Sequence, residues 1–325
     1  MQGGGKMKKV KSIFGLFILG VCMSWVLIGC NATTNQTYDG DSGSGKIQVI
    51  TTIAQIGEPM QIIGGDRVEI ISLMGPGVDP HLYQATQGDI ATLQNADIIF
   101  YNGLHLEGNL GEVFDKLKET KPVFAIGESI DESQLLKDEG GAIDPHIWFD
   151  LDLWKTALES ATENLIELSP ENANYFEENK QDYFAKIDEL KAEATKKMSS
   201  IPVEQRVLVT AHDAFGYFGR MYDIEVVGLQ GLSTEDEVGI SDIQSTVDLL
   251  LEKKVPSVFV ESSINQNSIK AVIEGAAKKG LDVSLGGELF SDAMGQDGTE
   301  EGTYLGMYLH NVNTVYDNLT RSVNE

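Results

Sequence analysis

Short apolar runs alternate with amphipathic stretches between residues 46 and 319 of the chain. The runs are rich in Val and Ile and are four to six residues long, which is typical of buried strands. Between several of these runs, apolar residues recur at helical spacing. This alternation predicts an α/β fold with mainly parallel strands. The predicted strands are 47–52, 68–73, 98–101, 123–126, 207–210, 225–228, 257–260 and 282–285, and the predicted helices include 87–95, 241–253, 267–279 and 303–319.

The predicted strands fall into two sets of four, separated by a segment without a strand-like run at 151–200. Within this segment, Ser169-Pro170-Glu171 is a typical helix start. Apolar residues then recur at helical spacing as far as Met198, which predicts one long rigid helix of roughly 45 Å. We therefore predict two similar lobes with four-stranded sheets and a cleft between them. The predicted boundaries are an N-terminal lobe at 46–165, a linking helix at 166–200 and a C-terminal lobe at 201–325.

The first 45 residues are predicted to be a signal peptide and a tether. Residues 1–29 contain four lysines, no acidic residue and an apolar run that stops at Cys30, as expected of an export signal. The run is about 17 residues long, so a retained membrane anchor is the alternative. Residues 27–30 (LIGC) resemble the lipobox of bacterial lipoproteins, which implies cleavage before Cys30 and a lipid anchor on its sulfur. Residues 30–45 are small, polar and Gly/Ser-rich, which predicts a flexible tether.

The charge and the cysteine content exclude several kinds of site. The chain has 24 basic and 50 acidic residues, and four of the lysines lie in residues 1–29. Phosphate backbones require clusters of Lys and Arg, so no nucleic-acid partner is expected. The acidic excess is compatible with a cationic ligand, although most of these residues are expected to serve solubility alone. Cys22 and Cys30 are the only cysteines, so the chain beyond residue 30 has neither a disulfide nor a thiolate metal site.

The tripeptide Asp-Pro-His occurs twice, at Asp79-Pro80-His81 and at Asp144-Pro145-His146, in a chain with five histidines. Imidazole is the commonest metal ligand at neutral pH, and a preceding proline stiffens the backbone that directs the ring. A single copy would indicate an ordinary turn, but the repeat favours a metal site. His81 and His146 are therefore two candidate ligands.

Two further candidate ligands follow predicted strands of the second lobe. His212 comes two residues after the strand 207–210, and Asp292 follows the last strand. Ligands of open parallel sheets lie at the carboxyl ends of strands, so both residues are predicted to face the cleft. A buried core histidine and a helix N-cap are the alternative roles of His212 and Asp292. Three imidazoles and one carboxylate suit a divalent transition metal, chiefly zinc or manganese.

Several other polar residues lie near these ligands in the sequence. A ligating imidazole usually needs an acceptor for its second ring nitrogen. Turn or helix capping is the alternative role for the aspartates. His105 is predicted to be a wall residue of the cleft, and His310 a surface residue of the C-terminal helix. The carboxylates that are candidates for orienting the ligands are Asp79, Asp144, Asp213 and Glu261.

Further motifs accompany the two Asp-Pro-His copies, namely 102–107 (NGLHLE), 144–148 (DPHIW), 210–215 (TAHDAF), 260–263 (VESS) and 290–292 (FSD). Together they resemble the metal-binding lipoproteins of bacterial ABC importers for manganese, zinc or iron, most closely the manganese-binding lipoproteins of Gram-positive bacteria. The resemblance implies two lobes joined by a long helix, no enzymatic activity, and an ABC permease with its ATPase as partners. It also implies a monomer held by its lipid on the outer face of the cytoplasmic membrane. The ligands that it implies are His81, His146, His212 and Asp292.

The resemblance leaves the identity of the metal open. Zinc-specific relatives usually carry a His-rich acidic loop before the second ligand, whereas residues 129–143 are short, acidic and free of His, which favours manganese. Many manganese members have Glu where His212 stands, and three His with one Asp would also suit zinc. Manganese is thus the favoured cargo and zinc the alternative. A zinc hydrolase is a more distant alternative, because the chain lacks the His-Glu-x-x-His and Gly-x-Ser-x-Gly motifs.

Overall fold

A four-stranded parallel sheet forms the N-terminal lobe of the computed structural model, which describes residues 45–321. Its strand order is β2-β1-β3-β4, and every neighbouring pair is parallel, as predicted. The strand Ile98–Tyr101 is buried at every residue, which explains its continuous apolar sequence (IIFY). The predicted signal peptide, Cys30 and all but the last residue of the tether lie outside the described residues. The strands are β1 (Ile47–Thr51), β2 (Val68–Ser72), β3 (Ile98–Tyr101) and β4 (Val123–Ala125).

Three helices connect the strands of this lobe. The second begins at a capping box in which Thr86 accepts a hydrogen bond from the amide of Asp89 (3.2 Å) and the Asp89 carboxylate accepts one from the amide of Thr86 (2.7 Å). This cap places the helix at the predicted residues. The helices are α1 (Ala54–Gly64), α2 (Gln87–Asn95) and α3 (Gly111–Lys118).

The predicted long helix is present, and a second long helix precedes it. α4 (Leu151–Leu168) begins at Asp150, whose carboxylate accepts hydrogen bonds from the amides of Asp152 and Leu153. A 3-10 turn at Pro170–Asn172 then leads into α5 (Ala173–Met198). α5 has 26 residues, which is about 39 Å at about 1.5 Å per residue. It is shorter than the predicted helix because the residues of this turn do not belong to it. It packs against α1, α4 and the C-terminal helix.

All four predicted strands of the C-terminal lobe are present and parallel, but they form two separate pairs. Backbone hydrogen bonds join β5 (Val207–His212) to β6 (Glu225–Gln230) and β7 (Ser257–Glu261) to β8 (Ser284–Leu289). β5 and β7 lie side by side without a ladder between them. At their carboxyl ends the amide of His212 donates to the Glu261 side chain, 2.8 Å away. The α/β fold of two lobes is confirmed, with this difference in the second sheet.

The last strand lies further along the chain than its predicted range of 282–285. Gly286 and Gly287 interrupt the apolar pattern inside the strand, which explains why the sequence pattern does not predict its correct range. A side chain at Gly286 would meet the ring of Phe259 at 2.7 Å, so close packing requires glycine there. The register between β7 and β8 also shifts at Val258 and Phe259.

A continuous apolar core joins the two lobes. It runs from β1 and α1 through α4 and α5 to one side of β5 and to the C-terminal helix. A second, smaller core fills the other side of the C-terminal lobe, between its strands and α7 and α8. No helix within residues 45–321 is long and apolar enough to cross a membrane. The helices of this lobe are α6 (Gly216–Tyr222), α7 (Ile240–Lys253), α8 (Asn267–Lys278) and α9 (Tyr304–Leu319).

Candidate metal centre

The structure brings together the four predicted ligands, two from each half of the chain. One potential ligand atom from each lies within 4.8 Å of the others. All four residues are buried, and His81 is the most exposed at 4%. The Nε2 atom of His146 lies 3.4 Å from those of both His81 and His212. The Asp292 carboxylate oxygens lie 3.4 Å from Nε2 of His146, 3.3 Å from that of His212 and 3.9 Å from that of His81.

These distances fit a single metal ion. Ligand atoms about 2.0 to 2.1 Å from a tetrahedral zinc are separated from one another by about 3.3 to 3.4 Å. Most of the separations fall in this range. Neither carboxylate oxygen of Asp292 has a hydrogen-bond partner among the described residues. Because buried carboxylate oxygens without hydrogen-bond partners are costly, this donor set is suited to a cation.

His81 lies in the turn-rich segment after β2. Its backbone amide donates to Asp79 (2.9 Å), and its carbonyl accepts a hydrogen bond from Asn109 (3.1 Å). The other oxygen of Asp79 accepts a hydrogen bond from Thr234 (2.6 Å), which lies between β6 and α7 in the C-terminal lobe. Asp79 thus binds the backbone of its histidine and joins the lobes, and within residues 45–321 no hydrogen bond joins it to the imidazole ring.

His146 contacts the aspartate two residues before it through both its ring and its backbone. One oxygen of Asp144 lies 2.8 Å from the ring Nδ1 and accepts a hydrogen bond from the backbone amide of His146 (2.9 Å). This contact leaves Nε2 to face the other ligands. The side chain of Asn102 donates to the carbonyl of Pro145 (3.0 Å), and Tyr217 of α6 donates to the carbonyl of Asp144 (2.9 Å). Both lobes thus fix this turn.

His212 is the last residue of β5, and Glu261 is the last residue of the neighbouring β7. One oxygen of Glu261 accepts a hydrogen bond from the backbone amide of His212. The other oxygen lies 2.5 Å from Nδ1 of the His212 ring. Both side chains are fully buried. The predicted orienting role of Glu261 is thus supported by its position, and the carboxyl ends of the two strands place the pair in the cleft.

Burial and charge shift the acidity of the four side chains in different directions. Burial lowers the pKa of His81 to about 4. Burial alone would also lower the pKa of His146, but the adjacent carboxylates of Asp144 and Asp292 outweigh it and raise the pKa to about 9. For His212, the charges of Glu261 and Asp292 outweigh burial and hold the pKa well above its usual value. Burial opposes ionisation of Asp292, but His212 and the neighbouring imidazoles hold its pKa well below the ordinary range.

The remaining candidates lie outside this cluster. Asp213 makes no side-chain hydrogen bond within residues 45–321 and lines a cavity of about 460 Å³ beside β6, so the structure does not show it orienting a ligand. His105 is exposed and has a positive φ of 67°, which differs from the predicted apolar wall. His310 is half-buried on α9, where it contacts the carbonyl of Glu288 at 2.9 Å.

Two residues near the site gave no chemical signal in the sequence. Gln55 of α1 and Trp148, two residues beyond His146, both donate hydrogen bonds to the carbonyl of Ser291. Trp148 was part of a recognised motif, but nothing indicated its partner. A lone glutamine such as Gln55 cannot be distinguished by sequence from any other buried polar residue.

The arrangement is that of a receptor that holds a metal ion between two α/β lobes. Residues 49–318 match the family model described as zinc-uptake complex component A, periplasmic, and the chain belongs to this family of metal-binding proteins of ABC importers. Its members are solute-binding proteins, so the chain is not an enzyme and the hydrolase alternative is rejected.

Similar proteins carry names for two different metals. The chain is 45% identical to the manganese-binding lipoprotein MntA of Bacillus subtilis, over 93% of this chain and 97% of that protein. It is 47% identical to the zinc-binding protein TroA of Treponema pallidum, over 86% and 91% respectively. The solved structure of that periplasmic zinc-binding protein superimposes with a TM-score of 0.84, covering 85% of this chain and all of the other.

Proposed function

We propose that the chain captures a divalent transition metal outside the cytoplasmic membrane and delivers it to an ABC permease, whose ATPase powers import. The convergence of four buried ligand atoms within 4.8 Å is the observation that carries this proposal. His81, His146, His212 and Asp292 are the proposed ligands, with Asp144 and Glu261 orienting two of the imidazoles. The proposed lipid on Cys30 would keep the receptor, acting as a monomer, on the outer face of that membrane.

Manganese is the proposed cargo, and zinc is the alternative. Both oxygens of Asp292 face the imidazoles, at 3.3 and 3.4 Å from two different rings, so the carboxylate can bind through both and provide a fifth ligand atom. A higher coordination number suits manganese, whose preferred sites are richer in oxygen. The short distances between ligand atoms favour zinc, which also binds more tightly to most such sites. Metal supply would then decide which ion is carried.

The test is metal analysis of protein purified without chelator or added metal, followed by calorimetric titrations with Mn²⁺ and Zn²⁺. We expect one ion per chain and binding of both metals at the same site, with each displacing the other. Protein that contains zinc alone and does not bind Mn²⁺ would reject manganese as the cargo. Failure to bind either metal would reject the receptor function.

Substitution of the ligands tests the assignment of the site. His81→Ala and Asp292→Ala should each weaken binding by about 100-fold or more, because each removes one direct ligand of a small set. His310→Ala is the matched control, since it removes a histidine that lies outside the cluster. Near-unchanged affinity in both ligand variants would remove these residues from the site.

A further inference from the structure

The segment that carries Asp292 has no regular structure of its own. Residues 290–292 follow β8 directly, and buried side chains bind their backbone. Asn311 of α9 accepts a hydrogen bond from the amide of Phe290 (2.9 Å) and donates one to its carbonyl (2.7 Å). The position of this segment therefore depends on specific side chains instead of a strand ladder.

The next carbonyl, that of Ser291, is bound from the other lobe. It accepts hydrogen bonds from Nε2 of Gln55 (3.2 Å) and from Nε1 of Trp148 (3.1 Å), which together satisfy both of its lone pairs. Gln55 belongs to α1 of the N-terminal lobe, and Trp148 to the turn that follows His146. Both donors are completely buried.

The burial of Gln55 is costly for the protein. Its amide oxygen is buried and has no hydrogen-bond partner among the described residues. An unpaired buried amide oxygen destabilises a fold, so an apolar side chain would be the more stable choice at this position. The bond from Nε2 to Ser291 is the one side-chain hydrogen bond of Gln55 that the described residues show.

The bound carbonyl belongs to the peptide unit that joins Ser291 to Asp292. Because this unit is planar, fixing its oxygen also fixes the direction in which the Asp292 Cα is placed. No hydrogen bond from the described residues orients the Asp292 carboxylate itself. Trp148 also packs edge-on against the ring of His146, with centroids 5.3 Å apart. Trp148 thus contacts both the ring of His146 and the backbone next to Asp292.

We propose that Gln55 and Trp148 are positioning residues that hold Asp292 in place against His81 and His146, and that they thereby set how long the ion stays bound. This inference rests on the proposed function. Through Ser291, the segment that carries Asp292 is bound to the N-terminal lobe as well as to α9. His212, in contrast, is bound to Glu261 within the C-terminal lobe.

The test uses Gln55→Met, which keeps the length of the side chain and removes the donor, with Co²⁺ as the probe. Visible absorption of bound Co²⁺ reports the geometry of the ligands, and its release into excess chelator gives the dissociation rate. We expect release about 10-fold faster than in the wild-type protein, which corresponds to the loss of one buried hydrogen bond, and an altered Co²⁺ spectrum. Trp148→Phe, which removes the other donor, should change the rate and the spectrum in the same direction.

Thr162→Val is the matched control, because it removes a fully buried hydrogen bond to Leu158 inside α4, outside the site. It should lower stability and leave the Co²⁺ spectrum and the release rate unchanged. If Gln55→Met does not fold, Gln55→Asn replaces it, since its shorter amide cannot reach Ser291. Wild-type spectra and rates in folded variants at both positions would overturn the positioning role. Failure of the wild-type protein to bind Co²⁺, Mn²⁺ and Zn²⁺ would instead reject the proposed function.

Discussion

Each imidazole of the metal centre is prepared for binding in a different way. His146 and His212 each have a buried carboxylate at Nδ1, which raises their basicity and directs Nε2 to the centre. The ring of His81 has no such partner within residues 45–321, and burial lowers its pKa to about 4. His81 is therefore neutral near pH 7 and ready to bind, whereas the other two imidazoles must first release protons.

Proton release from His146 and His212 predicts that metal affinity depends on pH. The pKa of His146 is raised to about 9 and that of His212 well above its usual value, so both bind protons at neutral pH before the metal arrives. The metal competes with these protons, and affinity should therefore fall as the pH decreases from about 9, by up to about 10-fold per pH unit for each proton displaced. Calorimetry at pH 8 and pH 6, repeated at pH 7 in buffers of different ionisation enthalpy, measures both effects.

The result that would contradict this prediction is equal affinity at the two pH values, with a binding enthalpy independent of the buffer. Glu261→Gln provides a control for the role of the carboxylate. It removes the charge that raises the pKa of His212, so fewer protons should be released on binding. The number of protons released should remain unchanged in Asp66→Asn, an exposed aspartate on the N-terminal lobe.

The four residues that the structure brings together could be predicted from the sequence, whereas most of their contacts could not. Imidazole and carboxylate groups reveal their chemistry by type, and the repeated Asp-Pro-His drew attention to two of them. Asp79 and Asp144 occupy equivalent places in the two repeats. Asp79 nevertheless binds the amide of His81 and the side chain of Thr234, whereas Asp144 contacts the ring of His146. That difference depends on what the opposite lobe supplies, which local sequence does not contain.

At the scale of single elements, the loop after β3 stores conformational strain. Leu104 and His105 have φ values of 54° and 67°, which are unfavourable for residues with a Cβ. The chain curves there because the buried carboxylate of Glu107 accepts hydrogen bonds from the amides of Asn102 and Gly103 and from Thr52. Asn102 of this loop donates a hydrogen bond to the carbonyl of Pro145, the residue before His146. The strained loop therefore helps to hold His146 in position.

Relief of this strain should stabilise the protein without affecting the site. His105→Gly should raise the free energy of unfolding by up to about 1 kcal/mol, because glycine adopts a positive φ at little cost. Metal affinity should not change, since the exposed ring is not part of the cluster. Urea unfolding checks the first point and calorimetric titration the second. His310→Gly, inside α9, should lose about 1 kcal/mol instead. Destabilisation by His105→Gly would contradict this reading of the loop.

A hydrogen bond from Thr234 to Asp79 joins the segment between β6 and α7 to the first lobe. Because Asp79 also binds the amide of His81, loss of this bond should loosen a ligand without removing it. We expect Thr234→Val to accelerate metal release by about 3- to 10-fold, as measured by stopped-flow mixing with chelator. Thr246→Val, which removes a hydrogen bond within α7, should release metal at the wild-type rate. Equal rates in both variants would show that the contact does not retain the ion.

The elements themselves were predictable to the extent that the local pattern determined them. The apolar runs of β1 to β7 stand between polar segments, and their predicted ranges overlap the observed strands closely. β8 was displaced because Gly286 and Gly287 break its apolar pattern, and the need for glycine there comes from the ring of Phe259 on the neighbouring strand. The contact of Glu261 with His212 likewise joins residues that are 49 positions apart in the sequence.

At the scale of the whole molecule, the continuous core limits independent movement of the lobes. Apolar side chains of α1, α4, α5 and α9 belong to one cluster that reaches both sheets. Glu58 of α1 adds a polar link, because its carboxylate accepts hydrogen bonds from Tyr183 of α5 (3.3 Å) and from the amide of Tyr304 at the start of α9 (3.2 Å). We therefore expect residues 45–321 to unfold as one cooperative unit.

This expectation can be tested with the metal itself. An ion bound by residues of both halves stabilises the folded state by about 2.7 kcal/mol when its free concentration is 100 times the Kd. For a body of this size, that corresponds to a rise of roughly 5 to 10 °C in Tm. Differential scanning calorimetry should show a single transition that shifts as a whole, and Asp292→Asn should abolish the shift. Two transitions, with only one sensitive to metal, would instead mean that the lobes unfold separately and that the shared core does not couple them.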